Sequence, residues 1–324
     1  MDRQRILIVS PAAARDNNGN WQTASRWARF LRGPYLVEVS NGWTRADPAP
    51  ALLIALHARR SAAALAAFRE AHPERLVLTG TDLYRDIDTA PEASASLEAA
   101  DALVVLQEAG LARLAPHLRQ KAQVIYQSSP ALRPVAPSPR ARHVDICMIG
   151  HLREEKDPLT FMRAATLVTD PRLRLLHIGA ALDPALRDAA CATASATPRY
   201  RWLGPMPHAA TRHRLKRRRA MVIASNMEGG ANVIIEAVTS GVPVLASQIE
   251  GNVGMLGADY AGFFPLGDAA ALARLIERCA QDAGFDALLR RQCAARASLF
   301  SPATEQAALA DLVDNLLRPA NRAA

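Results

Sequence analysis

S-N-M-E-G-G-A-N-V-I-I-E-A-V-T-S-G-V-P-V-L-A-S, residues 225–247, is the most informative stretch of this chain. Seven residues separate Glu228 from Glu236, and the pair Gly229-Gly230 follows the first of them. Glycines disfavour one regular helix spanning both carboxylates. Glu228 is therefore expected on a short polar loop, and Glu236 about one turn into the helix that follows. Gly241 and Pro243 mark a tight turn into an apolar strand at 242–246, and another apolar run, 221–224, precedes the loop. Strand, loop, helix, turn and strand form the unit of a parallel α/β sheet. The helix start would offer unpaired N–H groups and the positive end of its dipole, a seat for a diphosphate. Two carboxylates flanking an anion site suit a ligand with hydroxyls at both ends and phosphate in the middle, the shape of a nucleotide-sugar. Most glutamates are solvated surface charges; the glycines and the flanking strands set this pair apart.

The same alternation runs through the whole chain. R-I-L-I-V-S-P, residues 5–11, reads as a buried parallel strand. A helical pattern over 21–31 puts Trp21, Ala24, Trp27, Ala28 and Leu31 on one face, with Gly19 in the loop before it. Strands are expected at 35–39, 51–56, 76–79, 102–106 and 124–126, and helices at 61–71 and 93–99. Residues 129–142 hold four prolines and no helical period, which makes them the linker. The grammar restarts beyond it, with strands at 144–150, 173–178 and 200–203, the units around 221–224, 242–246 and 262–265, and helices at 269–280 and 285–297. The expected architecture is α/β: two Rossmann-like domains, 1–135 and 143–302, facing across a ligand cleft at the carboxyl ends of both sheets. A last helix, over 304–318, crosses back onto the first domain.

The 324 residues exceed the usual single-domain range, and half of them are hydrophobic, enough for two cores. A formal charge of +8 fits anionic small substrates, nucleic acid or an anionic membrane surface. Between 189 and 227 no acidic residue occurs, while Arg212, Arg214, Lys216, Arg217, Arg218 and Arg219 crowd one expected helix. Their positions wrap around that helix, which argues against a nucleic-acid-reading stripe and for an electropositive outer surface; attachment to anionic lipid is the sharper alternative. Cys147, Cys191, Cys279 and Cys293 are far apart and read as reduced thiols of a cytoplasmic protein. No signal peptide is expected, and no apolar run approaches the length that spans a bilayer.

With these residues in place, the chain resembles, over essentially its full length, the family-4 glycosyltransferases of GT-B architecture. The family signature E-G-x-G-x-x-x-x-E-A-x-x-x-G-x-P-V is matched by Glu228, Gly229, Glu236, Ala237, Gly241, Pro243 and Val244. Its G-R-L-x-x-E-K-G loop is matched in part by Gly150, Leu152, Glu155 and Lys156. The resemblance implies a UDP-sugar as co-substrate, with Glu228 on sugar hydroxyls, Glu236 on the ribose and Lys156 on the diphosphate. Three departures stand out. His151 occupies the usual arginine position, so the guanidinium is expected from Arg153, or the charge from a protonated His151. Gly230, Ala231 and Asn232 alter the pocket around the sugar. The usual G-G-x-P-E reads E-G-N-V-G, keeping Gly251 and putting Gly254 in place of the acid. The stretches N-N-G-N-W, H-A-R-R-S, L-T-G-T-D-L-Y-R-D-I, G-H-L-R-E-E-K-D-P and G-N-V-G-M-L-G are similar to those of the selenosugar synthases of selenoneine biosynthesis. That likeness implies selenophosphate as acceptor, a carbon–selenium bond as product, and the other enzymes of that pathway as functional partners.

Glycosyl transfer needs the leaving diphosphate stabilised while the electron-poor sugar is held against a nucleophile. Lys156, Arg153 and the N–H groups of Gly229–Ala231 would supply the first electrostatically, so no divalent metal is expected. Asp86-x-Asp88 matches a short metal motif that arises often by chance. In the first domain, Gly19 permits close backbone approach or is an ordinary turn glycine. His57 ends an apolar run, where it would deprotonate or orient an acceptor, or serve only the fold. Arg59, Arg60 and Arg85 would hold an anionic acceptor, with Asn20 and Thr81 beside it. Asp82 either contacts hydroxyls or caps a helix. A hydroxyl acceptor on lipid or sugar, a nucleotide-sugar sensor without catalysis and a nucleic-acid binder are the competing functions.

Overall fold

A computed structural model of the protein describes residues 3–12, 19–72, 75–79, 90–135 and 142–318. The chain divides into two compact units, one of Met1–Gln127 with Pro302–Ala324, the other Ser128–Ser301. Each is built on a six-stranded, wholly parallel sheet.

In the first unit the strands are β1 (Arg5–Val9), β2 (Leu36–Ser40), β3 (Leu52–Leu56), β4 (Leu76–Thr79), β5 (Ala102–Val105) and β6 (Ala122–Val124). Their order is β2-β1-β3-β4-β5-β6. Successive strand residues point to opposite faces, and each face is covered. Leu7, Val9, Leu53, Ala55, Leu76 and Leu78 pack against the helices Ala62–Ala71 and Pro91–Ala99. Ile6, Ile8, Leu52, Ile54 and Val77 pack on the other side against the helices Gly19–Leu31 and Pro302–Leu317. The last helix of the chain thus completes the first unit, through Leu309, Leu312, Val313 and Leu317. Glu305, 1% exposed, accepts from Arg26 Nε (2.7 Å) and Trp27 Nε1 (2.7 Å) and pins the two helices together. The last strand lies two residues earlier than its apolar run suggested, because β6 is set by pairing with β5, Leu103 opposite Ala122. Sequence order reverses around β1, so the carboxyl ends of β1 and β3 flank the switch point of this sheet.

The second unit contains β7 (Val144–Ile149), β8 (Leu173–Ile178), β9 (Tyr200–Trp202), β10 (Ala220–Ile223), β11 (Val244–Ser247) and β12 (Phe263–Phe264). Their order, β12-β11-β10-β7-β8-β9, is the 3-2-1-4-5-6 Rossmann arrangement with its switch point between β7 and β10. Asp-Pro steps start two of its helices. Asp157 accepts from Thr160 N ahead of the helix Pro158–Leu167, and Asp183 from Ala185 N ahead of Pro184–Ala196, each with proline at the first helical position.

Two expectations change here. The helix His208–Leu215 carries only Arg212 and Arg214 of the basic cluster; the rest lie in the turn before β10. Several of those arginines face the unit rather than an outer charged surface. Arg218 pairs with Asp145, which also holds Arg174 (2.7 Å). Arg219 donates to Cys279 O (3.1 Å), and buried Arg212 to Pro130 O (2.5 Å). Backbone carbonyls and Asp145 next to the turn take up these charges at close range. The proline-rich stretch, described as far as residue 135, is also tied to this unit: Ser129 N donates to Phe300 O and Leu132 N to Thr239 O (both 3.2 Å). Among the described residues, no helix is long and apolar enough to cross a membrane.

Candidate functional site

The loops leaving β7 and β10 meet at the second switch point. After β7, Gly150 leads to His151 and Leu152, then to a single 3-10 turn, Glu154–Lys156. Three interactions hold this loop down. Gly150 N donates to Ile178 O (2.9 Å), and Leu152 N to Ala180 O (2.8 Å). Beneath it lies His177, fully buried on β8, with Nε2 3.2 Å from Gly150 O and Nδ1 3.0 Å from the Tyr200 hydroxyl. A carbonyl only accepts, so Nε2 carries the hydrogen and Nδ1 takes the tyrosine proton. Burial lowers the His177 pKa to about 4, which keeps the ring neutral in that role. Gly179, at a left-handed φ of 157°, packs so closely that a Cβ there would lie 1.9 Å from Gly150 O.

After β10, Ser225 and Glu228 turn back toward the first loop. Asn226 N donates to Glu155 O (2.9 Å), joining the two backbones. Lys156 Nζ and Glu228 Oε1 form an ion pair, and Ser225 Oγ donates to the same carboxylate oxygen at 2.6 Å. A buried relay stands behind them: Asn252 Nδ2 donates to Ser247 O (2.9 Å), and Ser247 Oγ to Ser225 O (2.7 Å). Gly251, in the helix Glu250–Leu256, is the close contact that permits this stacking, since a Cβ there would stand 2.0 Å from Glu228 O. In that helix Gly254, at the family's acidic position, brings no side chain; its carbonyl accepts from Arg296 Nη2 at 2.9 Å.

Glu228 lies on the loop, and Glu236 is the fifth residue of the helix Asn232–Thr239, one turn in. Gly229, Gly230 and Ala231 bridge them. Its N-cap residue, Ala231, makes no side-chain cap, and the leading N–H groups have no partner within the helix, as at any helix start. The Glu236 carboxylate finds a different partner from Glu228: His208 Nε2 at 2.6 Å. That hydrogen bond raises the His208 pKa, with the Glu236 charge adding to it. His208, Ser225, Ser247 and Asn252 were not singled out in the sequence. Ser225 opens the decisive stretch and Asn252 stands inside G-N-V-G, but nothing in spacing marks His208.

Of the two candidates for the diphosphate cation, His151 accepts the Ala180 N–H at Nδ1 (3.0 Å). A nitrogen that accepts carries no proton, and desolvation first, then the charges of Arg153 and Lys156, lowers the pKa of this ring. Arg153 is exposed, its Nε 3.9 Å from Glu155 Oε2.

In the first unit His57 follows β3 beside the switch point. Its φ of 78° is left-handed, an uncommon conformation for a residue with a side chain. His57 N donates to Thr79 O (2.7 Å), and its Nδ1 lies 3.4 Å from Arg60 N, so the ring folds over the turn that carries exposed Arg59 and Arg60. Gly19 is not in a loop but is the first residue of the helix Gly19–Leu31, with Asn20 next; its carbonyl accepts from Thr23 Oγ1 (2.9 Å). The Thr23 hydroxyl, which also receives Gln127, draws the helix out by two residues beyond the apolar pattern. Thr81, Asp82, Arg85 and the Asp86-x-Asp88 string lie outside the described residues. Among the described residues no group of three or more His, Cys, Asp or Glu could hold a metal ion. What the second unit brings together is a cation paired with a carboxylate, a helix start, and a second carboxylate one turn on.

Several solved structures share the fold of this chain across nearly all of it. Anabaena HepE, solved with UDP-glucose, matches with a TM-score of 0.77 at 16% identity, over 97% of this chain and 100% of its own. The sucrose-phosphate synthase of Thermosynechococcus elongatus gives 0.76 at 18%, over 97% and 99%. A glycosyltransferase of Rickettsia africae gives 0.75 at 15%, over 99% and 100%. These are GT-B folds, and at such identities the likeness is one of fold. Residues 137–300, half of the sequence, match the family model of the glycosyl transferases group 1. The order of the second sheet, the loops at its switch point and that match lead to one conclusion: the chain belongs to the glycosyl transferases group 1 family.

Proposed function

We propose that the protein transfers a sugar, N-acetylglucosamine in our reading, from a UDP-sugar to selenophosphate and so forms a carbon–selenium bond. The observation that carries the donor half is the Lys156–Glu228 pair beside the uncapped start of the helix Asn232–Thr239. An ammonium has three donors, so Lys156 can hold Glu228 and still stabilise the leaving diphosphate, together with the N–H groups of 229–233 and with Arg153. Glu228 orients sugar hydroxyls, and Glu236 the ribose. In the step itself the bond from the anomeric carbon to the diphosphate oxygen breaks, its electron pair leaving with UDP. A selenium lone pair forms the new bond. Selenium is a strong nucleophile, so a phosphate-binding pocket matters more than a general base. Arg59, Arg60 and Arg85 are assigned to that pocket with Asn20 and Thr81, and His57 and Asp82 to orienting the acceptor. The acceptor rests on the similarity of the stretches around 17–21, 57–61 and 78–87 to the selenosugar synthases. No metal is needed in this scheme, and the reaction is placed in the cytoplasm.

A hydroxyl acceptor is the second reading. It is supported by likeness to the lipopolysaccharide outer core galactosyltransferase WaaB, with a TM-score of 0.72 at 13% identity. The experiment gives the protein UDP-N-acetylglucosamine with selenophosphate, or with a lipid extract, and follows UDP release and product mass. A selenium-containing sugar in the first arm is expected. A glycolipid in the second arm alone, or binding without UDP release, would replace the selenophosphate reading by the hydroxyl or the sensor one.

A further inference from the structure

The Glu236 carboxylate is close to buried: the residue is 8% exposed, flanked on its helix by the buried apolar residues Ile234, Ile235, Ala237 and Val238. A carboxylate in such surroundings needs a hydrogen-bond donor to hold it there. Among the described residues, the one hydrogen-bond partner of that carboxylate is His208, the first residue of the helix His208–Leu215. Its side chain is 52% exposed and reaches Glu236 Oε1 at 2.6 Å. One oxygen of Glu236 is therefore engaged by a donor that solvent can still reach on its other side.

We infer that His208 is a positioning residue of the nucleotide site, holding Glu236 turned so that its carboxylate can accept from the vicinal hydroxyls of a ribose. The inference rests on the assignment of the ribose to Glu236. Its chemistry is that of a second-sphere donor: the imidazole N–H fixes one oxygen, which leaves the remaining lone pairs aligned for a diol. The groups that act on the ring are Glu236, which favours its charged form, and Arg212 one turn on along the same helix, which opposes it. Arg212 Nη2 donates to Pro130 O (2.5 Å).

Calorimetry with UDP and with 2′,3′-dideoxyuridine 5′-diphosphate reads the contribution of the diol directly. The wild type is expected to bind UDP at least about tenfold more tightly than the dideoxy ligand, as suits hydrogen bonds to a charged acceptor. E236Q removes that preference. H208A shrinks it to about threefold or less through weaker UDP binding, with the dideoxy ligand bound as before. H208Q, whose amide places a donor near the position of Nε2, restores most of it. A wild type that binds both ligands alike overturns the ribose assignment and this inference with it. If the wild type discriminates, E236Q does not, and H208A keeps the full preference or loses both ligands equally, the ribose assignment stands and His208 has no positioning role.

Discussion

Substituting Gly251 by alanine tests the packing of the Glu228 loop with a single methyl group. The new Cβ would fall 2.0 Å from Glu228 O, 2.8 Å from its carbonyl carbon and 3.2 Å from its Cβ. Carbon–oxygen contacts normally begin at about 3.3 Å, so the loop and the helix Glu250–Leu256 must part by roughly 1 Å. The obstacle is backbone, not the end of a flexible side chain, and the relay from Asn252 through Ser247 to Ser225 resists the shift from below. Two consequences follow. Overpacking costs about 1–3 kcal/mol, which lowers the melting temperature by roughly 5 °C for a unit of this size. A displacement of about 1 Å in a group that orients substrate reduces turnover by about 100-fold. Thermal unfolding followed by dye fluorescence and UDP release from UDP-N-acetylglucosamine read the two effects. Gly42, where an added Cβ meets nothing within 4 Å, is the control and should be neutral in both. A G251A protein with wild-type melting and turnover within twofold would show that the Glu228 loop is not held as described.

Three further outcomes are expected. K156M leaves Glu228 without its cation and should reduce UDP release by at least about 100-fold, a larger loss than R153A, since Arg153 is exposed and loosely placed; the reverse ranking in a steady-state assay counts against Lys156 as the diphosphate cation. E305A strands the Arg26 guanidinium and the Trp27 indole N–H in the interior of the first unit and should destabilise by about 3 kcal/mol in urea titration; a change below about 1 kcal/mol contradicts that account. The His208–Glu236 pair makes stability depend on pH. The folded pKa of His208 is raised above its unfolded value near 6.5. Its contribution is thus fully present below about pH 6.5 and is lost as pH rises through the folded value. The melting temperature of the wild type should therefore exceed that of H208Q in mild acid and converge with it in mild alkali; a gap that widens with pH has the wrong sign.

Much of this could be read from the chain because local rules and the global fold agree. Continuous apolar runs such as L-L-I-A-L mark strands buried on both faces. The glycines after Glu228 separate a loop carboxylate from a helical one. What escaped sequence reasoning depends on contacts between distant segments. His208 and Glu236 are 28 residues apart, and nothing local in M-P-H-A-A announces that one will neutralise the other. Arg218 and Arg219 looked like part of a solvated patch because their acceptors, Asp145 and Cys279 O, lie elsewhere in the chain. The role of Gly251 could be placed by resemblance, but the reason only glycine fits appears when the helix lies against Glu228 O.

The return of the final helix to the first unit bears on how the protein is made. A ribosome delivers the six strands of that unit before the second unit, yet Leu309, Leu312, Val313 and Leu317, which complete the cover of one face of its sheet, emerge only after it. Throughout synthesis of the intervening 174 residues, that face has only the helix Gly19–Leu31 as cover, a window in which nascent chains are open to aggregation or chaperone capture. A fragment ending at Gln127 would keep this defect permanently, whereas a circular permutant that brings 302–317 ahead of Arg5 would close the face before the second unit is translated.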